Sequence, residues 1–254
     1  MRKQFPTLLL TALLLPVLLS CSHRQEDIKN IAADSTLTRL PGDSCIYGLA
    51  CDGCNDTLLI VLTDVAADPD TFQVLTATEE HQVFGRPRIG DRLAVLPSSD
   101  DMWQAAVVVN LEQMKGTWCY EVRPQLRERA GITAEMRERL EQRMPDSVRR
   151  KLLAPREYGF RLESGNVVVP VGNFREAEHS ANSPVIYEKP PRYQQWHVLN
   201  GKLLLTEVRR DAPGQAATTK TDTATFVALR RDTLVLSIGG KQTSYYRKEE
   251  KKAQ

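Results

Sequence analysis

The chain of 254 residues has little of what carries most enzyme chemistry. Four histidines occur, and none stands at the HxxxH spacing of a zinc hydrolase. No GxSxG elbow, Walker-type glycine loop or EF-hand loop is found either, so no motif-borne nucleophile, nucleotide or calcium site can be read. An excess of one charge is also missing: 34 Lys plus Arg face 32 Asp plus Glu, a formal +2. That balance argues against a nucleic-acid binder, whose affinity for phosphate rests on a surplus of basic residues. Glycine and proline, at 14 each, are ordinary, which excludes collagen-like and low-complexity chains. Long apolar runs are confined to the N-terminus, and nothing later approaches the roughly 20 residues needed to span a bilayer.

What is present begins with an address. Arg2 and Lys3 precede an apolar stretch, Leu8–Leu19, interrupted by Thr11 and Pro16, and residues 1–20 read as a secretory signal peptide. The sequence Leu18-Leu19-Ser20-Cys21 resembles a bacterial lipobox. The resemblance implies that Cys21 becomes the lipidated first residue of the mature chain, carrying palmitate-type acyl chains. Several acyl chains, at about 0.8 kcal/mol per buried methylene, hold a protein at a bilayer. Residues 21–42 are largely polar and mixed in charge and read as a tether. Ser22 resembles the outer-membrane sorting pattern, so the expected location is the outer membrane of a bacterial envelope, at its periplasmic face or the cell surface. Without residues 1–20 the count is 32 basic against 32 acidic, so acyl chains rather than net charge are expected to be the anchor.

Export changes how the other cysteines are read, because oxidising compartments favour disulfides. Cys45, Cys51, Cys54 and Cys119 can pair in three ways. Cys51-Asp-Gly-Cys54 is a CxxC, but Asn55-Asp56-Thr57 and the apolar run Leu58–Leu62 continue it as a strand, so it lacks the helix N-terminus that activates a redox thiol. A metal site would need these cysteines to converge with Cys119 or His81, which no spacing demands. A structural disulfide is the expectation, with metal or redox use as alternatives. No cofactor is indicated.

From Asp43 to Met114, short apolar runs recur about every ten residues between turn residues. This pattern predicts a small β-barrel or sandwich over 43–115. Pro124 to Leu153 breaks the rhythm with a charged, helical spacing: Thr133 is an N-cap candidate, and Pro145-Asp146 starts a second segment. Arg123 to Arg156 holds ten basic and five acidic residues, a local +5 that a solvated helical face accommodates. Strands return after Pro155, with Asn200-Gly201 as the strongest hairpin signal. Residues 173–191 form a long polar loop at the expected barrel mouth.

With Gly116–Val122 as a first strand, the C-terminal region has eight, enough for a closed antiparallel barrel. Gly116-Thr117-Trp118 resembles the opening Gly-x-Trp of lipocalin-like (calycin) domains. Trp196 to Leu205 through Asn200-Gly201, Asp232 to Leu236, and the closing Tyr245-Tyr246-Arg247-Lys248 resemble their later strands. The resemblance implies a mainly β fold, in which a barrel over 116–248 with its helical insert at 124–153 follows the smaller β domain. It also implies a non-enzymatic binding protein that holds a small apolar ligand. Trp118, Tyr193, Trp196 and Phe226 could line that cavity, although such residues more often fill a core. The alternatives are a structural or assembly partner of an envelope protein complex, with a solid barrel, or an enzyme or metal/redox protein using Cys51 and Cys54.

Overall fold

A computed structural model describes residues 39–127, 133–172, 174, 185–188, 190–209 and 218–249. Residues 1–20, Cys21, the tether up to residue 38 and most of the 173–184 loop lie outside the described residues. The fold is mainly β.

The first sheet comprises β1 (Ile46–Ala50), β2 (Leu58–Thr63), β3 (Asp70–Gln73), β4 (Val83–Phe84), β5 (Arg92–Pro97) and β6 (Ala105–Asn110), in the order β3-β2-β1-β5-β6-β4. Every pairing is antiparallel except β4 with β6. A parallel bridge between Gln73 and Gln104 brings the far edges together and curls the sheet toward a barrel. Alternating apolar residues supply the core: Leu59 and Val61 on β2, Leu93 and Val95 on β5, and Phe72 and Val108 all point inward. Two short helices, α1 (Leu75–Glu79) and α2 (Leu111–Met114), interrupt what the sequence predicts as strand alone. Helix α1 follows directly on β3. Val74 and Ala77, one turn apart, both enter the core, and no capping side chain announces the helix.

The second sheet has eight strands: β7 (Gly116–Val122), β9 (Arg156–Leu162), β10 (Val168–Gly172), β12 (Gln195–Leu199), β13 (Lys202–Arg209), β14 (Thr218–Leu229), β15 (Thr233–Ile238) and β16 (Lys241–Lys248). Its order, β10-β9-β7-β16-β15-β14-β13-β12, is an up-and-down meander in which the first strand pairs with the last. Val168 N–H donates to Gln194 O at 2.8 Å and Val167 bridges Gln195, which nearly closes the barrel. Gly116 thus opens this barrel. Asn200 and Gly201 have φ of 48° and 72°, the left-handed pair that a two-residue type I′ hairpin requires.

The helical insert is α3 (Ala134–Arg143) and α4 (Asp146–Leu152). The Thr133 hydroxyl accepts from Met136 N–H at 3.3 Å, the capping that its position predicts. A two-residue ladder, β8 (Gln125–Leu126) with β11 (Val185–Ile186), joins the insert to the 185–188 segment. These pieces meet Val122 and Tyr158 in a small apolar cluster with Val185, Tyr187, Leu152 and Leu153.

One end of the eight-stranded barrel rests on the first sheet. Ser44 N–H donates to Asn200 Oδ1 at 2.8 Å, and the Tyr47 hydroxyl bonds both Asp43 Oδ2 (2.6 Å) and Val198 O (3.1 Å). Phe84 meets Phe226 at 5.2 Å between ring centroids. Asp43 is buried in this seam. Burial works to raise its carboxyl pKa, but bonds from the Tyr47 hydroxyl and from the Cys45 and Asn200 amides outweigh that and hold it lowered. A carboxyl lowered by folding stabilises the protein fully above its unfolded pKa, about 3.9, and the contribution is lost as pH falls through the lowered value. Denaturant midpoints of the protein and of Asp43→Asn should therefore converge as pH drops below about 4. A gap independent of pH would show that the Asp43 charge does not hold the seam.

Candidate functional site: the open end of the eight-stranded barrel

Strand parity fixes which side chains enter the barrel. On β13 the inward row is Leu203, Leu205 and Glu207, all buried; on β14 it is Phe226, Ala224 and Asp222. Both rows run from apolar residues near the first sheet to carboxylates at the opposite end. Register pairs Leu205 with Asp222 and Glu207 with Lys220, so the two carboxylates are diagonal neighbours on one face.

The half nearer the first sheet is filled. Trp118, Trp196, Leu162, Leu203, Leu205 and Leu234 are each less than 2% exposed. Both indoles are satisfied there: Trp118 Nε1 donates to Met114 O at 2.7 Å, and Trp196 Nε1 to Glu163 O at 2.9 Å. Arg247 lies over the Trp118 ring, 4.2 Å from its centroid. Of the four residues expected to line a cavity, Trp118 and Trp196 belong to this filled half, and Phe226 packs toward the seam. Tyr193 alone stands by the open end.

The half away from the first sheet is built from tyrosines and carboxylates. The Tyr193 hydroxyl donates to Asp222 Oδ2 at 2.8 Å, and Lys220 Nζ lies 3.3 Å from Asp222 Oδ1. Glu207, 7% exposed, is paired at 3.0 Å with Arg209, whose side chain is 64% exposed at the rim. Below them Tyr245 meets Tyr120 edge-on at 5.2 Å and Phe160 at 5.1 Å. Burial raises the pKa of Tyr193, reinforced by its bond to Asp222. Burial, with Glu188 nearby, pushes Tyr120 up to about 12. These phenols stay protonated at neutral pH and serve as hydrogen-bond donors on apolar rings. The arrangement can hold a molecule that offers an apolar body to the rings and hydrogen-bond donors or positive charge to the carboxylates.

Glu207 and Asp222 escape a reading based on motifs. Alternation along Leu203-Leu205-Glu207 puts Glu207 on the buried face, and that was the available signal. His197 is kept neutral by burial, which lowers its pKa.

The cysteines do not converge on this site. Cys51 and Cys54 sit in the turn between β1 and β2, where Cys54 Sγ approaches Cys51 O (3.2 Å) and Ile60 O (3.4 Å). Cys45 is buried at the seam and Cys119 on β7. All four are free thiols in this structure, so the expected disulfide is not formed in it. Burial first, then neighbouring carboxylates, raise Cys45 to about 12 and Cys119 to about 11, so both remain protonated and unreactive at neutral pH. Among the described residues no three His, Cys, Asp or Glu side chains are placed to hold a metal ion.

Comparison with known proteins bears on the barrel. A family model described as lipocalin-like matches residues 186–248, which take in β12 to β16. Among solved structures, a lipocalin-like protein from Bacteroides thetaiotaomicron VPI-5482 is similar at 19% identity with a TM-score of 0.27, over 53% of this chain and 95% of that one. No curated protein matches the chain. The family match over β12 to β16 supports a lipocalin-like domain, and the eight-stranded meander agrees with it.

Proposed function

We propose that the chain is a lipid-anchored, non-enzymatic binding protein of the bacterial outer membrane, tethered through Cys21, whose lipocalin-like barrel takes a small amphipathic molecule at its open end. The observation that carries the reading is the division of the barrel interior. One half is filled by Trp118, Trp196 and leucines, while the other turns Tyr120, Tyr193, Asp222 and Glu207 toward the opening. A purely apolar ligand sunk deep in the barrel would compete with the two tryptophans for space. A molecule seated higher meets rings on its apolar part and carboxylates on its polar head. The signal stretch and the lipobox-like Leu18–Cys21 support the anchor.

The filled half also supports a second reading, a solid barrel that serves as an assembly partner of an envelope protein. One experiment separates the two. Protein isolated from native membranes should release a stoichiometric small molecule on solvent extraction, detected by mass spectrometry, and Asp222→Asn with Tyr193→Phe should lose it. Labelled palmitate should enter the protein and fail to enter Cys21→Ala. Extraction of nothing, together with stoichiometric cross-linking to one envelope protein, would favour the assembly reading.

A further inference from the structure

Net charge conceals a strong separation of charge within this chain. Residues 39–115 carry 5 basic against 12 acidic residues, a net −7, whereas residues 116–249 carry 23 against 16, a net +7. Of that second surplus, +5 lies between Arg123 and Arg156, in the insert that joins β7 to β9. Strand β7 starts at the seam with the first sheet and ends at the open end of the barrel, so the insert leaves from the open end. The acidic sheet is at one end of the molecule and the basic insert at the other.

Within the insert, α4 presents its charges to solvent. On α4 no residue is buried, and Arg149, Arg150 and Lys151 are exposed against a single acidic residue, Asp146, which pairs with Arg149 at 2.5 Å. Val148 on α4 and Met136 on α3 are also exposed, by 48% and 52%. Only the end of α4, through Leu152 and Leu153, joins an apolar cluster of the barrel. A helix lying at a lipid headgroup boundary uses both, cations toward phosphate and apolar side chains toward the acyl region.

We infer that the insert end of the barrel docks on an anionic bilayer surface through α4. Each basic residue near such a surface contributes about 1 kcal/mol, and the attraction decays within a Debye length of about 8 Å, so only the near end of the molecule responds to it. The acidic sheet is directed away from the membrane. Charge orients the protein here and leaves tethering to another device, which is why a mature chain of zero net charge is compatible with it. The inference is independent of any ligand and of the acyl anchor.

The test uses the full chain with vesicles of phosphatidylcholine alone or with phosphatidylglycerol added. Arg2 and Lys3 beside the apolar stretch Leu8–Leu19 themselves favour anionic lipid, so the readout is the change that a variant makes in the ratio of binding between the two vesicles. Binding should favour the anionic vesicles, and R149E/R150E/K151E should reduce the ratio by about tenfold or more. R86E/R88E, a reversal of two cations on the first sheet, should leave it unaltered. Hydrogen exchange on the unmodified chain gives a reading that needs no variant: amides of 146–152 should gain protection on anionic vesicles only. Equal binding to both vesicles, or protection over 39–115 instead, would overturn the inference.

Discussion

Gly159→Ala is expected to abolish soluble folding or to lower stability by at least about 4 kcal/mol, out of the 5–15 kcal/mol that holds a typical domain together. Gly159 lies in the middle of β9, opposite Cys119 of β7 and Val171 of β10. A Cβ added there would stand 1.9 Å from Trp118 O and 2.9 Å from Cys119 Cα. Both are backbone atoms in the ladder that joins the barrel's first two strands, so no side chain can turn aside to relieve the clash. Overpacking that a core can absorb costs about 1–3 kcal/mol. Here relief means parting β7 from β9. Gly239→Ala separates this from the general cost of replacing a glycine. Gly239 has φ of 56° in open space, so its variant should lose only the roughly 1–2 kcal/mol of a left-handed alanine. Urea midpoints of the two variants check the difference; near-equal losses would mean that β7 and β9 do not approach as closely as described.

Much of this barrel was legible because each signal has a single geometric meaning. Alternation over Thr233–Ile238 makes sense only as a half-buried strand, and Asn200-Gly201 suits a type I′ turn as few pairs do. Gly-x-Trp and the closing Tyr-Tyr-Arg-Lys lie about 130 residues apart in sequence, and the fold stacks Arg247 on Trp118. Other features depend on contacts that no local pattern encodes. Helix α1 is one turn long, lacks a capping side chain and exists because Val74 and Ala77 both fit the core. The parallel pairing of β4 with β6 follows from where α1 returns the chain. For the site, Trp118 and Trp196 are both buried inside the barrel, and parity says nothing of depth. Whether an inward ring lines a cavity or fills a core depends on what covers each end of the barrel, the first sheet at one and the cluster of Val185, Tyr187, Leu152 and Leu153 at the other. Glu207 illustrates the converse, since a carboxylate at an inward position is tolerated only near the open end, where Arg209 can reach it from solvent.

Arg247→Ala should cost about 3–5 kcal/mol, because its guanidinium links three separate pieces of backbone. Nη1 donates to Lys115 O at 2.8 Å, Nη2 to Gln113 O at 2.5 Å and Nε to Arg231 O at 2.6 Å. The first two carbonyls belong to the end of α2 and the link that leads out of the first sheet into β7; the third lies in the β14–β15 turn. Its plane also covers Trp118, which is fully buried. Truncation strands three carbonyls, at about 1–3 kcal/mol for each that water cannot reach, and removes a cation–π contact of about 1–2 kcal/mol. Arg247→Lys should recover less than half of the loss, since an ammonium cannot serve three divergent acceptors and lie flat on an indole at once. Urea midpoints give the magnitude, and hydrogen exchange gives the location: amides of Gln113–Trp118 and of the 230–233 turn should open in Arg247→Ala while β2 and β3, at the other edge of the first sheet, keep their protection. A uniform rise in exchange would instead mean that the two sheets unfold as one unit and that the Arg247 contacts do not set the strength of their junction.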